Sequence, residues 1–180
     1  IGDPKVIAPL ISAFREREFL QLPVVEALGR IGDPGTIEVL LGALHSEDQM
    51  VRLMAVEALG QIGDPEAIEP LTEALPGADP FLQRTVMKAL ALIFVHSGEG
   101  FLQGVQQRGL TPYLPIVLQD GDPELKELLL EELTVVAGDP SLLPVLQVLL
   151  EAPDEEIRMA TVTALGKTGA TGIVDDLLPL

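Results

Sequence analysis

The amino-acid sequence predicts an all-α fold, a right-handed α-α superhelix (solenoid) of about five and a half helical hairpins. Three observations carry this. "EALGRIGDP" at residues 26–34 returns 31 residues later as "EALGQIGDP" at 57–65. Between the copies, apolar residues recur at helical rather than strand spacing. Asp-Pro and Gly-Asp-Pro punctuation falls where such helices would start and stop.

The elements follow in order. Ile1-Gly2-Asp3-Pro4, Ile31-Gly32-Asp33-Pro34 and Ile62-Gly63-Asp64-Pro65 form a ladder with spacings of 30 and 31, and Ala137-Gly138-Asp139-Pro140 continues it after a gap of 75. A degenerate copy stands at Thr168-Gly169-Ala170. The units therefore run over about 1–30, 31–61, 62–92, 93–136 with an insertion over about 94–112, 137–167, and a partial 168–180. In the second unit Asp33 suits an N-cap and Pro34 the first helical position, where its missing N–H costs nothing. Ile37, Leu40, Leu41 and Leu44 give that helix its apolar side. Asp48 caps the second helix, Val51, Ala55, Ala58, Leu59 and Ile62 form its stripe, and Gly63 ends it as a left-handed residue. Asp79-Pro80, Asp122-Pro123 and Asp154 open the later second helices, and Pro76-Gly77 and Asp120-Gly121 are the preceding turns. Ala27, Ala58, Ala89 and Ala164 share a position that lets helices approach closely; Glu132 takes it in the fourth unit, which implies looser packing or a bend. Within the insertion, "GEGFLQGVQQRGL" reads as a short, weak helix with Phe101, Leu102 and Val105 on one side.

Asp48, Val51-Arg52, Ala58-Leu59-Gly60 and Gly63-Asp64-Pro65 together resemble HEAT repeats, in particular the short subclass named after phycobilisome lyases. Asp154, Ile157-Arg158 and Ala164-Leu165-Gly166 resemble them nearly as well. The resemblance implies that Asp33, Asp48, Asp64, Asp154, Arg52 and Arg158 are structural, with each arginine bonding the inter-helix turn or a neighbouring unit's aspartate. In the third unit Gln83 stands at the arginine position and Arg84 one step on, which should turn Arg84 toward solvent.

Composition excludes several functions. The net charge is −17, with 28 acidic and 11 basic side chains. Such a chain repels nucleic-acid phosphates and anionic membranes. There is no tryptophan and a single tyrosine, Tyr113, so base-stacking platforms are missing. Without cysteine there are no disulfides, thiolate metal sites or Cys nucleophiles. No apolar run reaches the roughly 20 residues of a membrane span, and a cytoplasmic location is expected. His45 and His96 read as turn residues, without partners at ligand spacing. Asp120-Gly121-Asp122-Pro123-Glu124 lacks the later ligands of a calcium loop. The glycines at 98, 100 and 104 follow no strand and lead to no Gly-Lys-Ser/Thr, so they make no phosphate loop. No catalytic residue, metal site or cofactor is expected.

The expected function is a non-catalytic scaffold that binds another protein, as a helix or tail, along the concave face lined by the second helices. Val25, Val56, Met87, Leu130 and Val162 are equivalent and apolar; they read either as a groove or as packing between second helices. Leu22, Leu53, Arg84, Glu127 and Met159 form the other row of that face. Arg84 and Lys88, one turn apart and joined by Arg108, read as a basic spot for an acidic group of the partner; pairing with Glu57 or Glu99 is the alternative. Two other functions stay open: a bilin-lyase-like subunit acting on a pigment-carrying protein, and a structural spacer or oligomerisation arm. Both termini fall within repeats, which suggests a fragment of a longer chain whose uncapped ends favour end-to-end self-association.

Overall fold

The computed structural model describes residues 4–119 and 121–168. Outside them lie Ile1-Gly2-Asp3 of the leading phrase, Asp120 of the Asp120-Gly121 turn, the degenerate copy at Gly169-Ala170 and the partial helix around Asp175–Leu178. Among the described residues all regular structure is helical: eleven α-helices and six short 3-10 turns. The fold is an all-α solenoid of stacked hairpins. It divides into two compact units, residues 1–99 and 100–180, so the boundary falls inside the insertion of what the sequence presents as one repeat domain.

The first unit contains α1 (Pro4–Glu16), α2 (Gln21–Ile31), α3 (Ile37–Ala43), α4 (Gln49–Ile62), α5 (Ile68–Ala74) and α6 (Pro80–Ser97). They pair as three hairpins, and the second helices α2, α4 and α6 lie side by side. Aspartates start the helices by accepting orphan N–H groups. Asp33 and Asp64 accept from Gly35 at 2.8 Å and Glu66 at 2.9 Å, opening one 3-10 turn before α3 and α5. Asp48 accepts from Met50 at 2.8 Å, and Asp79 from Phe81 at 2.9 Å and Leu82 at 3.1 Å. In the first hairpin Arg17 holds this register and gives no side-chain cap.

The "EALG" part of the repeated phrase sets the distance between second helices. A Cβ on Gly29 would lie 2.8 Å from the Ala58 Cβ, and one on Gly60 would lie 2.8 Å from both Cα and Cβ of Ala89. The alanine of each unit thus faces the glycine of the unit before it, and their small size permits close approach. The register continues in sequence as Ala91 and Glu132, where neither residue type is kept. Gly63 closes α4 with φ +73°, and His96 packs where its Cβ would be, 2.7 Å from Cγ. His96 is therefore a residue of α6, not of a turn; its Nδ1 lies 2.7 Å from the Leu92 carbonyl. The helix runs on to Ser97 because Phe94, fully buried, occupies the register at which Gly63 stops α4; Gly98, φ 74°, supplies the delayed stop.

The second unit contains α7 (Phe101–Gln107), α8 (Leu114–Leu118), α9 (Pro123–Val135), α10 (Leu143–Leu150) and α11 (Glu155–Thr168). α10 and α11 pair as a hairpin, α9 packs on α11, α8 touches α10, and the extra helix α7 packs on α9 and α10. Gly109, φ 66°, stands before the 3-10 turn Thr111–Tyr113 as Gly63 stands before Pro65–Ala67, with Leu110 at the cap position of Asp64 and the proline one residue later. Phe101, Leu102 and Val105 of α7 are fully buried. Glu132 accounts for its own departure from alanine. Its carboxylate accepts the N–H groups of Phe101 and of Leu102, the latter at 2.7 Å, and so caps α7. Burial pushes this carboxyl above the usual glutamate range despite the two donors.

Candidate protein-interaction surface

Second helices carry the residues singled out from the sequence, and the structure separates them. Val25, Val56 and Met87 are 0%, 1% and 0% exposed. They seal the layer between α2, α4 and α6 and offer no groove to a partner. The reason is angular. Val56 follows Ala55 by one residue, about 100° round the helix, which places it on the flank facing the next second helix and not on the side opposite the core. In the second unit Leu130 is half-buried and Val162 is exposed. Leu53 is buried as well, and Leu22 half-buried. Arg84 is half-buried rather than turned to solvent; its guanidinium carbon sits 6.0 Å from the Phe81 ring centre, within cation–π reach. Lys88 is half-buried on the same helix. Both Arg84 and Lys88 are engaged within the protein, as is Arg108 of the second unit.

A different row is exposed where these helices begin: Phe19 in the 3-10 turn Glu18–Leu20 just before α2, and Met50 and Phe81 in the first turns of α4 and α6. Phe19, Met50 and Phe81 are 75%, 50% and 52% exposed. Each is the second residue after the capping position, at 17, 48 and 79, and each stands 31 residues from the next. The cap carboxylates of Asp48 and Asp79 hold the backbone N–H of Met50 and Phe81, so the first turns of α4 and α6 that carry these two residues are fixed. Met54, half-buried, lies one turn further along α4. In the second unit this position is Glu124 and Glu156, whose N–H groups are held in the same way by Asp122 and Asp154. The apolar row is a property of the first unit alone. The 31-residue repeat in the sequence contains this row, whereas the equivalent positions Val25, Val56 and Met87 lie on the buried flank.

The remaining repeat residues are structural. Arg52 donates through Nη1 to the carbonyls of Ser46 at 2.6 Å and Glu47 at 3.0 Å. Arg158 donates to those of Ala152 at 2.7 Å and Pro153 at 2.8 Å. Gln83 fills the arginine's place by donating to Leu75 at 3.0 Å. On α9 this register is Lys126, which spans to the next cap and pairs with Asp154 and Glu156, both at 2.8 Å. The hydrogen bond from Lys126 holds Asp154 below the usual carboxylate range. Gln49 makes the matching link to Asp79 at 3.0 Å.

An open groove of about 550 Å³ lies beside the hairpin turns of the second and third repeats, lined by His45, Arg52, Glu73 and Asp79 among others. Arg52 and Asp79 there are committed to the turn carbonyls and the helix cap. Among the described residues no three His, Asp or Glu side chains gather as metal ligands. Among the same residues no single helix is long and apolar enough to cross a membrane.

Comparison with known proteins bears on the fold and the family. A solved engineered protein, a target of the Northeast Structural Genomics Consortium, aligns at TM-score 0.60 and 22% identity over 94% of this chain and 84% of its own. At that identity the likeness concerns the fold. No curated protein matches the chain. The family model for HEAT repeats matches residues 7–91 and 110–180. The break between the two matches, 92–109, is the stretch where α6 overruns and α7 is added. On these matches the chain belongs to the HEAT repeat family.

Proposed function

We propose that this protein is a non-catalytic interaction scaffold that binds another protein on the solvent-facing side of its second helices. The observation that supports this is the row Phe19, Met50 and Phe81: three large apolar side chains, exposed at one register of three successive repeats. Scattered exposed hydrophobic residues are ordinary, whereas large apolar side chains exposed at the same register of successive repeats point to a contact surface. The site moves accordingly from the buried row of Val25, Val56 and Met87 to the row at Phe19, before α2, and at Met50 and Phe81, in the first turns of α4 and α6, with Arg84 and Lys88 beside it on α6.

A spacer or oligomerisation arm is the second reading, and the sealing of Val25, Val56 and Met87 favours it. Affinity capture from the protein's own cell extract separates the two. A partner retained by the wild-type chain and lost from Phe19→Asp/Met50→Asp/Phe81→Asp is the expected result. A spacer would retain no specific partner, and equal capture by both forms would also reject the site.

A further inference from the structure

We propose that the apolar row of the first unit receives a basic amphipathic helix laid across the 3-10 turn before α2 and the first turns of α4 and α6; this rests on the scaffold reading and names its occupant. Packed helices run with their axes about 8–10 Å apart, so side chains at one register of adjacent second helices recur at about that interval. A helix advances about 1.5 Å per residue, and seven residues make about 10.5 Å and nearly two full turns. Residues i, i+7 and i+14 of a partner helix therefore return to one face at the interval of Phe19, Met50 and Phe81. This is helix-in-groove recognition with one anchor per repeat.

Charge selects the partner's polar side. Glu18, Glu47, Asp48 and Asp79 edge the row at the helix starts, and Glu57 lies two turns along α4; all five are exposed. Arg17, Arg84 and Lys88 are the cations of the same face, but residues 1–99 as a whole carry 15 acidic and 7 basic side chains. A second copy of the chain would set acidic edges against acidic edges, and phosphate-bearing surfaces would be repelled. A cationic helix meets the same edges with opposite charge, which steers encounter as well as holding register.

Three fluorescent peptides of about 18 residues test this against the full chain by anisotropy. The first has leucine at i, i+7 and i+14 with lysine and arginine beside them. The second replaces the cations with glutamate, and the third keeps the cations but moves the leucines to i, i+5 and i+10. Binding of the first is expected at least about tenfold tighter than the other two, weakening as salt rises. Phe19→Asp/Met50→Asp/Phe81→Asp should lose at least tenfold for the first peptide, and Glu47→Lys/Glu57→Lys should lose affinity while keeping helical content. Circular dichroism checks each variant's fold; the single substitution Met50→Asp replaces the triple one if that chain unfolds. Equal binding of basic and acidic peptides, or undiminished binding to the variants, overturns the proposal. Failure of the first peptide to bind overturns the occupant only, provided the capture experiment still loses its partner on the triple variant; if that partner is kept, the scaffold reading falls as well.

Discussion

Replacing Gly60 with alanine places a methyl group 2.8 Å from both Cα and Cβ of Ala89. Carbon atoms prefer about 3.5–4.0 Å, so α4 and α6 must part by several tenths of an ångström. One of the two atoms belongs to the backbone and cannot rotate away. Overpacking of this kind costs about 1–3 kcal/mol, and the backbone contact puts Gly60 in the upper half of that range. Alanine is the better helix former by about 1 kcal/mol, leaving a net loss of about 1–2 kcal/mol. Gly42, in α3, supplies the control: it is exposed, and nothing lies within 4 Å of its added Cβ. Gly42→Ala should therefore stabilise by up to about 1 kcal/mol. The same chemical change has opposite signs at two sites. Urea unfolding followed by circular dichroism at 222 nm reads both. Ala89→Gly should rescue Gly60→Ala in part in a double-mutant cycle, because it removes Cβ, one of the two atoms that clash, and leaves Cα in place. A Gly60→Ala chain as stable as Gly42→Ala, or an Ala89→Gly change with no coupling to it, would show that the Gly–Ala contact does not set the helix spacing.

Other substitutions test the remaining contacts. Glu132→Ala should cost about 1–2 kcal/mol through loss of the α7 cap, seen as a lower unfolding midpoint. Glu132→Gln keeps one acceptor, costs less, and no longer titrates. Because burial raises the Glu132 pKa in the folded state, its protonated form is favoured there. As pH rises through that raised value, the wild type should lose stability relative to Glu132→Gln; parallel pH profiles for the two would refute this. Arg158→Ala should destabilise by about 1–2 kcal/mol because two turn carbonyls lose their donor, with Arg158→Lys recovering part in thermal unfolding. Asp154 titrates below the ordinary range because Lys126 bonds it; its contribution is present above the unfolded-state pKa and lost as pH falls through the depressed one. Lys126→Met should move the Asp154 midpoint upward in a carboxyl NMR titration.

How much of this was legible in the sequence depends on whether the cause was local. Asp48, Asp79 and Asp154 cap their helices by accepting from N–H groups two or three residues on, so spacing alone identifies them. Gly63 ends α4 for the equally local reason of its positive φ. The close approach of second helices was legible only in half: the alanine was visible as a small residue, but its partner glycine lies 29 residues away, as with Gly29 and Ala58. Glu132 could not be read at all, because its two donors are 30 and 31 residues earlier, in a helix with no counterpart in the other repeats. For the candidate surface, the periodicity was sufficient and the geometry was misjudged. Val56 and Met50 both recur in every hairpin of the first unit, but six residues of helical turn put one between helices and the other in solvent.

The protein carries its own reporters for docking: Met50 and Met54 on the solvent-facing side of α4, Met87 in the sealed layer, and Met159 on the second unit. Methyl NMR of carbon-13-labelled methionine, recorded during titration with the basic peptide, distinguishes the surfaces directly. Saturable shifts of Met50, with Met54 following and with Met87 and Met159 still, are expected. Movement of Met87 or Met159 while Met50 stays in place would rule out docking on the row of Phe19, Met50 and Phe81.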